Sequence, residues 1–385
     1  MSTLERNDLR LNQALHAHAL FFDPILRKVD WSQVDSELNK VPYVEEKPGV
    51  SVTEDGDVVF HYFAPDAQSV QVAHLGGPRH DLAPCGDGYW TVTLTGIPAG
   101  FHYHHYFVNG AMATSTLAPY GYGCFQPINF YEVPDHESDF YLLQPVPHGS
   151  IRMELYESSV TRRTRNCWVY TPPGYDRQTD RAYPVLYLQH GGGENETGWI
   201  WQGKINYILD NLIASGQCEE MIVVMNSGYA FQDGELSNFL PGDFDAVLME
   251  DCIPFIESHF RVKTDREHRA MAGLSMGAFQ TLRTTFRHLD DFAWIGLFSG
   301  MLDYKADSLF NHRELFEHPE AFNDKVKLFF LAMGEQEDWY EAIVREHRRL
   351  IEIGIRSHLY TCPGGHDWHV WRRSARAFLQ LVFRS

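Results

Sequence analysis

The first forty residues carry apolar side chains at the spacing of a helix. Such side chains recur about once per turn at Leu9, Leu11, Leu15, Ala19 and Phe22. The stretch from residue 31 to 38 is compatible with a second, shorter helix. We therefore expect residues 1–39 to form a helical extension. A segment of this kind packs on its own chain, which we favour, or on a second copy in a homodimer.

From about Val41 to Val133 the apolar period shortens to two, the period of a strand with one buried face. Residues 90, 92 and 94 are apolar and alternate with threonines. The dipeptides Asp55-Gly56 and Asn109-Gly110 separate strand-like runs and are typical of tight hairpin turns. Several short strands joined in this way predict a small all-β, immunoglobulin-like sandwich over residues 40–140.

After an expected linker at 141–150, the pattern changes to strands alternating with helices. Residues 183–189 and 221–226 read as buried strands, and 294–298, 327–333 and 357–361 as three further strands. Between the first two, Ile205, Ile208 and Leu212 share one face of a helix. This alternation indicates an α/β domain with a mainly parallel sheet over residues 151–385.

The composition fits a folded, acidic protein. The chain has 385 residues, more than one typical domain, and 44% of them are hydrophobic, enough for a sizeable core. The formal net charge of −19 argues against nucleic acid and against anionic membrane surfaces as partners. No apolar run reaches the length of a membrane-spanning helix.

The N-terminus and the cysteines indicate in which cellular compartment the protein is expected. The first ten residues lack the basic-then-apolar layout of a signal peptide. The six cysteines are scattered and form no C-x-x-C pair, which argues against structural zinc and predicts reduced thiols. We expect a cytoplasmic protein; a secreted protein whose signal peptide has been removed is the alternative.

The main chemical motif is Gly273-Leu-Ser-Met-Gly277, with Ser275 at its centre. An apolar run precedes the motif and a helix-compatible run follows it, as in the strand–turn–helix setting of a nucleophile elbow. Small residues must flank the serine because larger side chains would collide with the neighbouring strand or helix. The motif is short enough to arise by chance, so it needs a base, an acid and an oxyanion-binding loop elsewhere.

Two further loops follow predicted strands, at the edge where open α/β sheets bind ligands. The loop His190-Gly-Gly-Gly193 can direct N–H groups at a developing oxyanion together with the amide of Met276, although an ordinary glycine turn is the alternative. His366 lies in a glycine-containing loop after the last strand, which makes it the predicted general base. His268 precedes its strand and lies at the wrong end of the sheet.

A serine–histidine pair also needs a carboxylate to hold the imidazole. Glu335, Glu337 and Asp338 follow the strand that ends near residue 333, and all three compete for this role. The order serine, acid, histidine is that of α/β-hydrolases. These residues predict a serine hydrolase of the α/β-hydrolase fold, which needs no metal and no organic cofactor.

Three polar or aromatic residues are candidates for the acyl pocket. Trp201 and Gln202 follow the glycine loop, and Trp368 follows the predicted base. A place in the core or behind the site is the favoured alternative for each of them.

The motifs also carry a family resemblance. Residues 187–199, 272–277 and 365–372 resemble the esterase D superfamily, in particular the feruloyl esterases of carbohydrate esterase family one that carry an N-terminal early-set module. Residues 63–72, 87–90 and 98–103 resemble such early-set immunoglobulin-like modules, which are related to glycogen-binding domains. Because Trp90 lies on the apolar face of its strand, we expect a core residue there and predict no polysaccharide binding.

The resemblance implies roles for individual residues. It identifies Ser275 as the nucleophile and His366 as the base, and its Gly-x-x-Asp or Gly-x-x-Glu pattern places the acid on Glu337. Aspartate is commoner at that position, and Asp338 is adjacent. The implied reaction is hydrolysis of feruloylated sugars or small aryl esters through an acyl-enzyme, with the oxyanion held by amides near Gly192 and Met276.

Other functions fit the same residues. The ester could instead be a siderophore trilactone, an acetylated sugar or S-formylglutathione, and an acyltransferase uses the same triad. Outside the enzymes, the alternative is a non-catalytic carbohydrate-binding protein, which would bind glycans without turnover.

Overall fold

The computed structural model describes residues 29–34, 46–135, 138–232, 240–301 and 313–384. The chain forms two compact units, Met1–Asp139 and Phe140–Ser385. The expected N-terminal helices lie outside the described residues, apart from a 3₁₀ turn at Trp31–Gln33. The carboxylate of Asp30 caps this turn by accepting a hydrogen bond from the Ser32 amide.

The first unit contains two antiparallel sheets. In the described residues its strands are β1 (Val50–Val52), β2 (Val58–Phe63), β3 (Val70–His74), β4 (Arg79–Asp81), β5 (Ala83–Gly86), β6 (Tyr89–Leu94), β7 (Gly100–Val108), β8 (Ala111–Ala113), β9 (Tyr120–Gly123) and β10 (Gln126–Val133). One sheet has the order β1-β2-β6-β5 and the other β4-β3-β7-β10-β9, with β8 paired to β7. The expected all-β unit is confirmed.

The core of this unit lies between the two sheets. Phe60 from β2 packs edge-to-face on Tyr106 from β7 and on Tyr131 from β10. Trp90 is half-buried against this core, and its Nε1–H donates to the Ala64 carbonyl at 2.9 Å. The dipeptide Asn109-Gly110 joins β7 to β8 with φ values of 49° and 84°, which suits a two-residue hairpin turn.

The second unit is built on one eight-stranded sheet. Its strands are β11 (Ser150–Ser158), β12 (Arg163–Thr171), β13 (Val185–Gln189), β14 (Ile222–Asn226), β15 (Arg269–Leu274), β16 (Trp294–Phe298), β17 (Leu328–Gly334) and β18 (His358–Cys362). The order is β11-β12-β14-β13-β15-β16-β17-β18. The six neighbouring strands β14, β13, β15, β16, β17 and β18 pair in parallel. β11 pairs with β12, and β12 with β14, in the antiparallel direction.

Helices cover both faces of this sheet. Among the described residues they are α1 (Gly198–Trp201), α2 (Ile205–Ala214), α3 (Phe244–Ala246), α4 (Ile253–His259), α5 (Met276–Arg287), α6 (Arg313–Phe316), α7 (Pro319–Lys325), α8 (Tyr340–Glu352) and α9 (Trp368–Leu379), and a π-helical turn at Val247–Cys252 joins α3 to α4. The central strands β13 to β16 are buried at every position. This burial explains their continuous apolar sequence and confirms the expected α/β domain.

The residues expected to form a linker pack on the second unit. The side-chain amide of Asn211 on α2 donates to the carbonyls of Phe140 and Leu142 at 3.0 and 2.8 Å. Asp210 on the same helix accepts hydrogen bonds from the Gly149 amide at 2.9 Å and from the Tyr170 hydroxyl at 2.7 Å. These bonds fix the path of the chain from residue 140 to the start of β11.

All six cysteines are free thiols, and Cys167, Cys218, Cys252 and Cys362 are buried. Within the described ranges, no helix has both the length and the apolarity needed to cross a bilayer.

The buried Asp210 should matter more for stability than an exposed ion pair. Its carboxylate is 2% exposed and also contacts His148 Nδ1 at 2.8 Å. Asp210→Ala should lower the free energy of unfolding by about 3 kcal/mol, because buried donors lose their acceptor. The matched control is Asp176→Ala, which removes an exposed pair with Arg152 and should cost less than about 1 kcal/mol. Urea unfolding followed by tryptophan fluorescence measures both; equal losses would contradict this account.

Candidate active site

Ser275 lies in a sharp turn between β15 and α5. Its φ of 50° and ψ of −118° are unusual for a residue with a side chain. Its N–H donates to the Phe298 carbonyl on β16 at 2.9 Å, which anchors the turn to the neighbouring strand. The serine is partly exposed, whereas the residues on either side of it are buried. This geometry is that of a nucleophile elbow.

The two glycines of the motif are required by close contacts. A Cβ on Gly277 would lie 2.4 Å from the His190 carbonyl oxygen, and a Cβ on Gly273 would lie 2.5 Å from the Gly277 carbonyl oxygen. Any larger residue would therefore push α5 away from β13 or from its own strand. These contacts are the reason why the sequence pattern requires glycine on either side of Ser275.

His366 and Glu337 complete a hydrogen-bonded series with the serine. His366 Nε2 lies 3.0 Å from Ser275 Oγ, and His366 Nδ1 lies 2.7 Å from Glu337 Oε2. The Glu337 side chain is 3% exposed, whereas the imidazole is 43% exposed. Glu335 and Asp338, the other acids considered from the sequence, are exposed. The structure therefore brings Glu337, and neither neighbouring acid, against the imidazole.

The second oxygen of Glu337 is held by groups that the sequence did not indicate. Oε1 accepts hydrogen bonds from the Gly334 amide at 2.8 Å and from the Ser299 hydroxyl at 2.6 Å. Ser299 accepts in turn from Trp371 Nε1 at 2.9 Å. With an acceptor at Nδ1, the neutral imidazole carries its proton there, and Nε2 is left to accept from the serine.

The loops that carry the acid and the base are bonded to each other through the backbone. The Glu335 amide donates to the Cys362 carbonyl at 2.9 Å, and the Gln336 amide donates to the Gly364 carbonyl at 3.0 Å. The imidazole of His366 also packs edge-to-face on Trp371, with ring centroids 5.1 Å apart. These contacts fix both the separation of the two side chains and the plane of the imidazole.

The glycine loop after β13 lies beside the start of α5. A Cβ on Gly192 would lie 3.8 Å from the Met276 Cβ, and Gly192 is exposed. Neither the Gly192 amide nor the Met276 amide has a hydrogen-bond partner among the described residues. Met276 is also the first residue of a twelve-residue helix, whose N-terminus favours negative charge. The two amides can therefore receive an oxyanion next to Ser275.

His190 connects this loop to the loop after β14. Its Nδ1–H donates to the Gly191 carbonyl at 2.8 Å, and its Nε2 accepts from the Gly228 amide at 2.8 Å. The ring is 1% exposed, and burial lowers the pKa of His190 to about 4. His190 is therefore neutral near pH 7 and supports the loop without taking part in proton transfer.

Tyr229 binds the glycine loop, and Arg165 binds the loop after β14 that carries Tyr229. The Tyr229 hydroxyl accepts from the Gly193 amide at 2.7 Å. Arg165 donates from Nη1 to the Tyr229 carbonyl at 2.9 Å and from Nη2 to the Ser227 carbonyl at 2.6 Å. Tyr229 lies three residues after a predicted strand, so the sequence could have indicated that it lies near the site. Arg165 lies near the start of an antiparallel strand, where nothing in the sequence points to the site.

The structure corrects two of the three acyl-pocket candidates, Gln202 and Trp368, in favour of the alternative of a place in the core. Gln202 and Trp368 are both 0% exposed. Gln202 donates from Nε2 to Glu194 at 3.0 Å, and Trp368 packs edge-to-face on Trp199 with centroids 5.3 Å apart. Trp201 is half-buried, and its Nε1 is enclosed. Gln202 and Trp368 are therefore part of the core, because both side chains are fully enclosed.

Within the described part of the chain, no group of three or more histidine, cysteine, aspartate or glutamate side chains is placed to hold a metal ion. The chemistry that these residues offer is acyl transfer through Ser275.

The chain matches one family model and is similar in sequence to several curated proteins. Residues 158–379, more than half of the chain, match the family model described as putative esterase. An endo-1,4-β-xylanase/feruloyl esterase of Xylanibacter ruminicola is 34% identical over 357 residues, which are 89% of this chain and 47% of that protein. Endo-1,4-β-xylanase Y of Acetivibrio thermocellus is 34% identical over 170 residues, 41% of this chain and 15% of that protein. The chain thus spans about half the length, or less, of these curated relatives.

Solved structures share the fold. A ferulic acid esterase of Anaeromyces mucronatus, determined with ferulic acid, has a TM-score of 0.54 at 24% identity and covers 63% of this chain and 93% of its own. The enterobactin esterase of Shigella flexneri has a TM-score of 0.61 at 15% identity and covers 87% of this chain and 96% of its own. At these identities the matches show the fold alone, an α/β-hydrolase esterase fold preceded by β-sheets.

The buried His190 predicts a pH dependence of stability. Its folded-state pKa of about 4 lies below its ordinary value of 6.5, so the unfolded chain takes up this proton first as the pH falls. The stabilising effect of a neutral His190 is complete above pH 6.5 and is lost between 6.5 and about 4. The stability difference between the wild type and His190→Asn should shrink over this window, by on the order of 3 kcal/mol. Urea unfolding at a series of pH values measures this difference; a constant difference would contradict the assignment.

Proposed function

This chain belongs to the putative esterase family, and we propose from that membership and from the site that it is a serine feruloyl esterase. Its substrates are esters of hydroxycinnamic acids with sugars or other small alcohols. The observation that carries the proposal is the series from Ser275 through His366 to Glu337. Beside it lie the Gly192 and Met276 amides, for which the described part of the chain supplies no hydrogen-bond partner.

The mechanism follows from this geometry. His366 Nε2 takes the proton of Ser275 while Oγ attacks the ester carbonyl carbon, and the carbonyl oxygen becomes an oxyanion between the two amides. The C–O bond to the alcohol breaks, and His366 returns the proton to the leaving oxygen. A water molecule then attacks the acyl-enzyme with the same proton transfers, which releases the acid and restores the serine. Glu337 stabilises the imidazolium in both steps.

The relatives support an aryl acid as the acyl group. The relative that matches 89% of this chain is named as a feruloyl esterase as well as a xylanase. Among solved structures with this fold, one esterase was determined with ferulic acid and another with sinapinate. These ligands belong to those proteins, and they favour a hydroxycinnamoyl ester over an acetyl ester as the substrate here.

The nucleophile assignment makes a direct prediction. Ser275→Ala removes the attacking oxygen and should reduce kcat for methyl ferulate by about 10⁴-fold or more while the thermal unfolding midpoint stays close to that of the wild type. Activity is followed by the release of ferulate. Labelling by a fluorophosphonate probe should also disappear in this variant. Retained turnover in Ser275→Ala would refute the serine mechanism.

The choice of acid can be tested by two isosteric substitutions at adjacent positions. Glu337→Gln keeps the shape but removes the charge opposite the imidazolium, so kcat should fall by about 10⁴-fold. Asp338→Asn is the matched control and should change kcat little, because Asp338 is exposed and the carboxylate bonded to His366 is that of Glu337. Steady-state kinetics with methyl ferulate measures both. If Asp338→Asn lost as much activity as Glu337→Gln, the assignment of Glu337 would be wrong.

A further inference from the structure

Ser299 follows directly after β16 and has a left-handed backbone conformation, with a φ of 52°. It is 0% exposed. Its N–H donates to the Ala332 carbonyl on β17 at 2.8 Å, and the carbonyl of the preceding Phe298 accepts from the Ser275 N–H at 2.9 Å. Ser299 is therefore anchored between the strand that leads to the nucleophile and the strand that leads to the acid.

The backbone conformation at this position would suit a glycine better than a serine. A residue with a side chain is strained in the left-handed region, because its Cβ comes close to the following carbonyl oxygen. Glycine has no Cβ and adopts the same conformation without this strain. Strain of this kind is concentrated at functional sites, where the side chain compensates for it. The reason for a serine is then to be found in its hydroxyl group.

The Ser299 hydroxyl connects a group that only donates with a group that only accepts. Its Oγ lies 2.9 Å from Trp371 Nε1 and 2.6 Å from Glu337 Oε1. An indole N–H cannot accept a hydrogen bond, so the hydroxyl hydrogen must point to the carboxylate. Because Ser299 is buried, bulk water does not compete for either bond. Trp371 thus fixes the direction in which the hydroxyl donates.

This bond gives the two oxygens of Glu337 different roles. Oε1 accepts from the Ser299 hydroxyl and from the Gly334 amide, the latter at 2.8 Å, whereas Oε2 lies 2.7 Å from His366 Nδ1. Two donors on Oε1 fix the plane of the carboxylate and direct Oε2 at the imidazole. With the Gly334 amide alone, the carboxylate could rotate about a single bond and leave the imidazole.

We propose that Ser299 is a positioning residue of the active site. It is held in a strained backbone conformation so that its hydroxyl, oriented by Trp371, orients Glu337 against His366. The proposal rests on the proposed function, since it assigns the residue that positions the acid of that serine mechanism. The effect of Ser299 on catalysis passes through Glu337.

The first test compares Ser299→Ala with Ser299→Gly, which both remove the hydroxyl although only glycine relieves the backbone strain. Both should lower kcat for 4-nitrophenyl acetate by about 10- to 100-fold with KM unchanged, because Glu337 stabilises an imidazolium that forms only during the reaction. Ser299→Gly should nevertheless unfold at a midpoint about 2–4 °C higher than Ser299→Ala. A purely structural role would instead make activity follow stability.

The second test asks whether Ser299 acts through Glu337. In a Glu337→Gln background, Ser299→Ala should lower kcat further by less than about twofold, because the carboxylate that it orients is already absent. The rate of Ser275→Ala is subtracted as the blank. A structural contribution of Ser299 would lower kcat by the same factor in both backgrounds.

The third test removes the donor that orients the hydroxyl. Trp371→Phe keeps an aromatic ring at this position and should lower kcat by about threefold to tenfold with KM unchanged. The matched control is Trp294→Phe at the opposite end of β16, where Nε1–H donates to the Glu267 carbonyl at 2.9 Å. This control loses a bond of the same kind and should keep the kcat of the wild type. If Ser299→Ala fails to fold, Ser299→Gly and Trp371→Phe carry the same test.

Three results would overturn the proposal. They are an unchanged kcat in both Ser299 variants, a kcat that recovers together with stability in Ser299→Gly, and an equal loss from Ser299→Ala with and without the Glu337 carboxylate. Failure of the proposed function is separable from these results. A wild type that hydrolyses 4-nitrophenyl acetate but not methyl ferulate would refute the feruloyl substrate and leave the tests of Ser299 intact. A wild type that hydrolyses neither ester would refute the esterase itself.

Discussion

Helix α5 begins directly against the end of β13, and the site is arranged around this contact. Gly277 allows it, since a Cβ there would lie 2.4 Å from the His190 carbonyl oxygen. The close approach brings the Met276 amide beside the glycine loop and forces Ser275 into its positive φ. It therefore determines at once where the nucleophile points and where the oxyanion can be bound. A larger residue at position 277 would push α5 away from β13 and so move the Met276 amide away from the glycine loop.

The carboxyl edge of the parallel strands divides the remaining groups into two sides. On the β16–β18 side, His366 takes the proton of Ser275, Glu337 holds the imidazole, and Ser299 holds Glu337. On the β12–β14 side, His190 and Tyr229 hold the glycine loop. The two sides meet at Ser275.

The sequence predicted the parts of this arrangement that depend on local pattern. Continuous apolar runs identified the buried strands, and loops at their carboxyl ends identified Ser275 and His366 as candidates. The residues alone left Glu335, Glu337 and Asp338 open, because neighbouring residues in a turn point in different directions; only the family resemblance placed the acid on Glu337. The turn bond from the Glu337 amide to the Gly334 carbonyl, at 3.1 Å, sets which of them faces the imidazole.

Groups that act across the fold were not predictable in this way. Gln202 and Trp368 follow the right loops in the sequence, yet their side chains turn inward to fill the core, which was the favoured alternative for both; proximity along the chain alone cannot distinguish the two places. Arg165 is 110 residues from Ser275 in the sequence, and only the pairing of β12 with β14 brings it beside the loop that it supports. Its guanidinium binds two backbone carbonyls rather than a carboxylate. Because these bonds hold the loop after β14, Arg165 also fixes Tyr229, whose hydroxyl accepts from the Gly193 amide of the glycine loop.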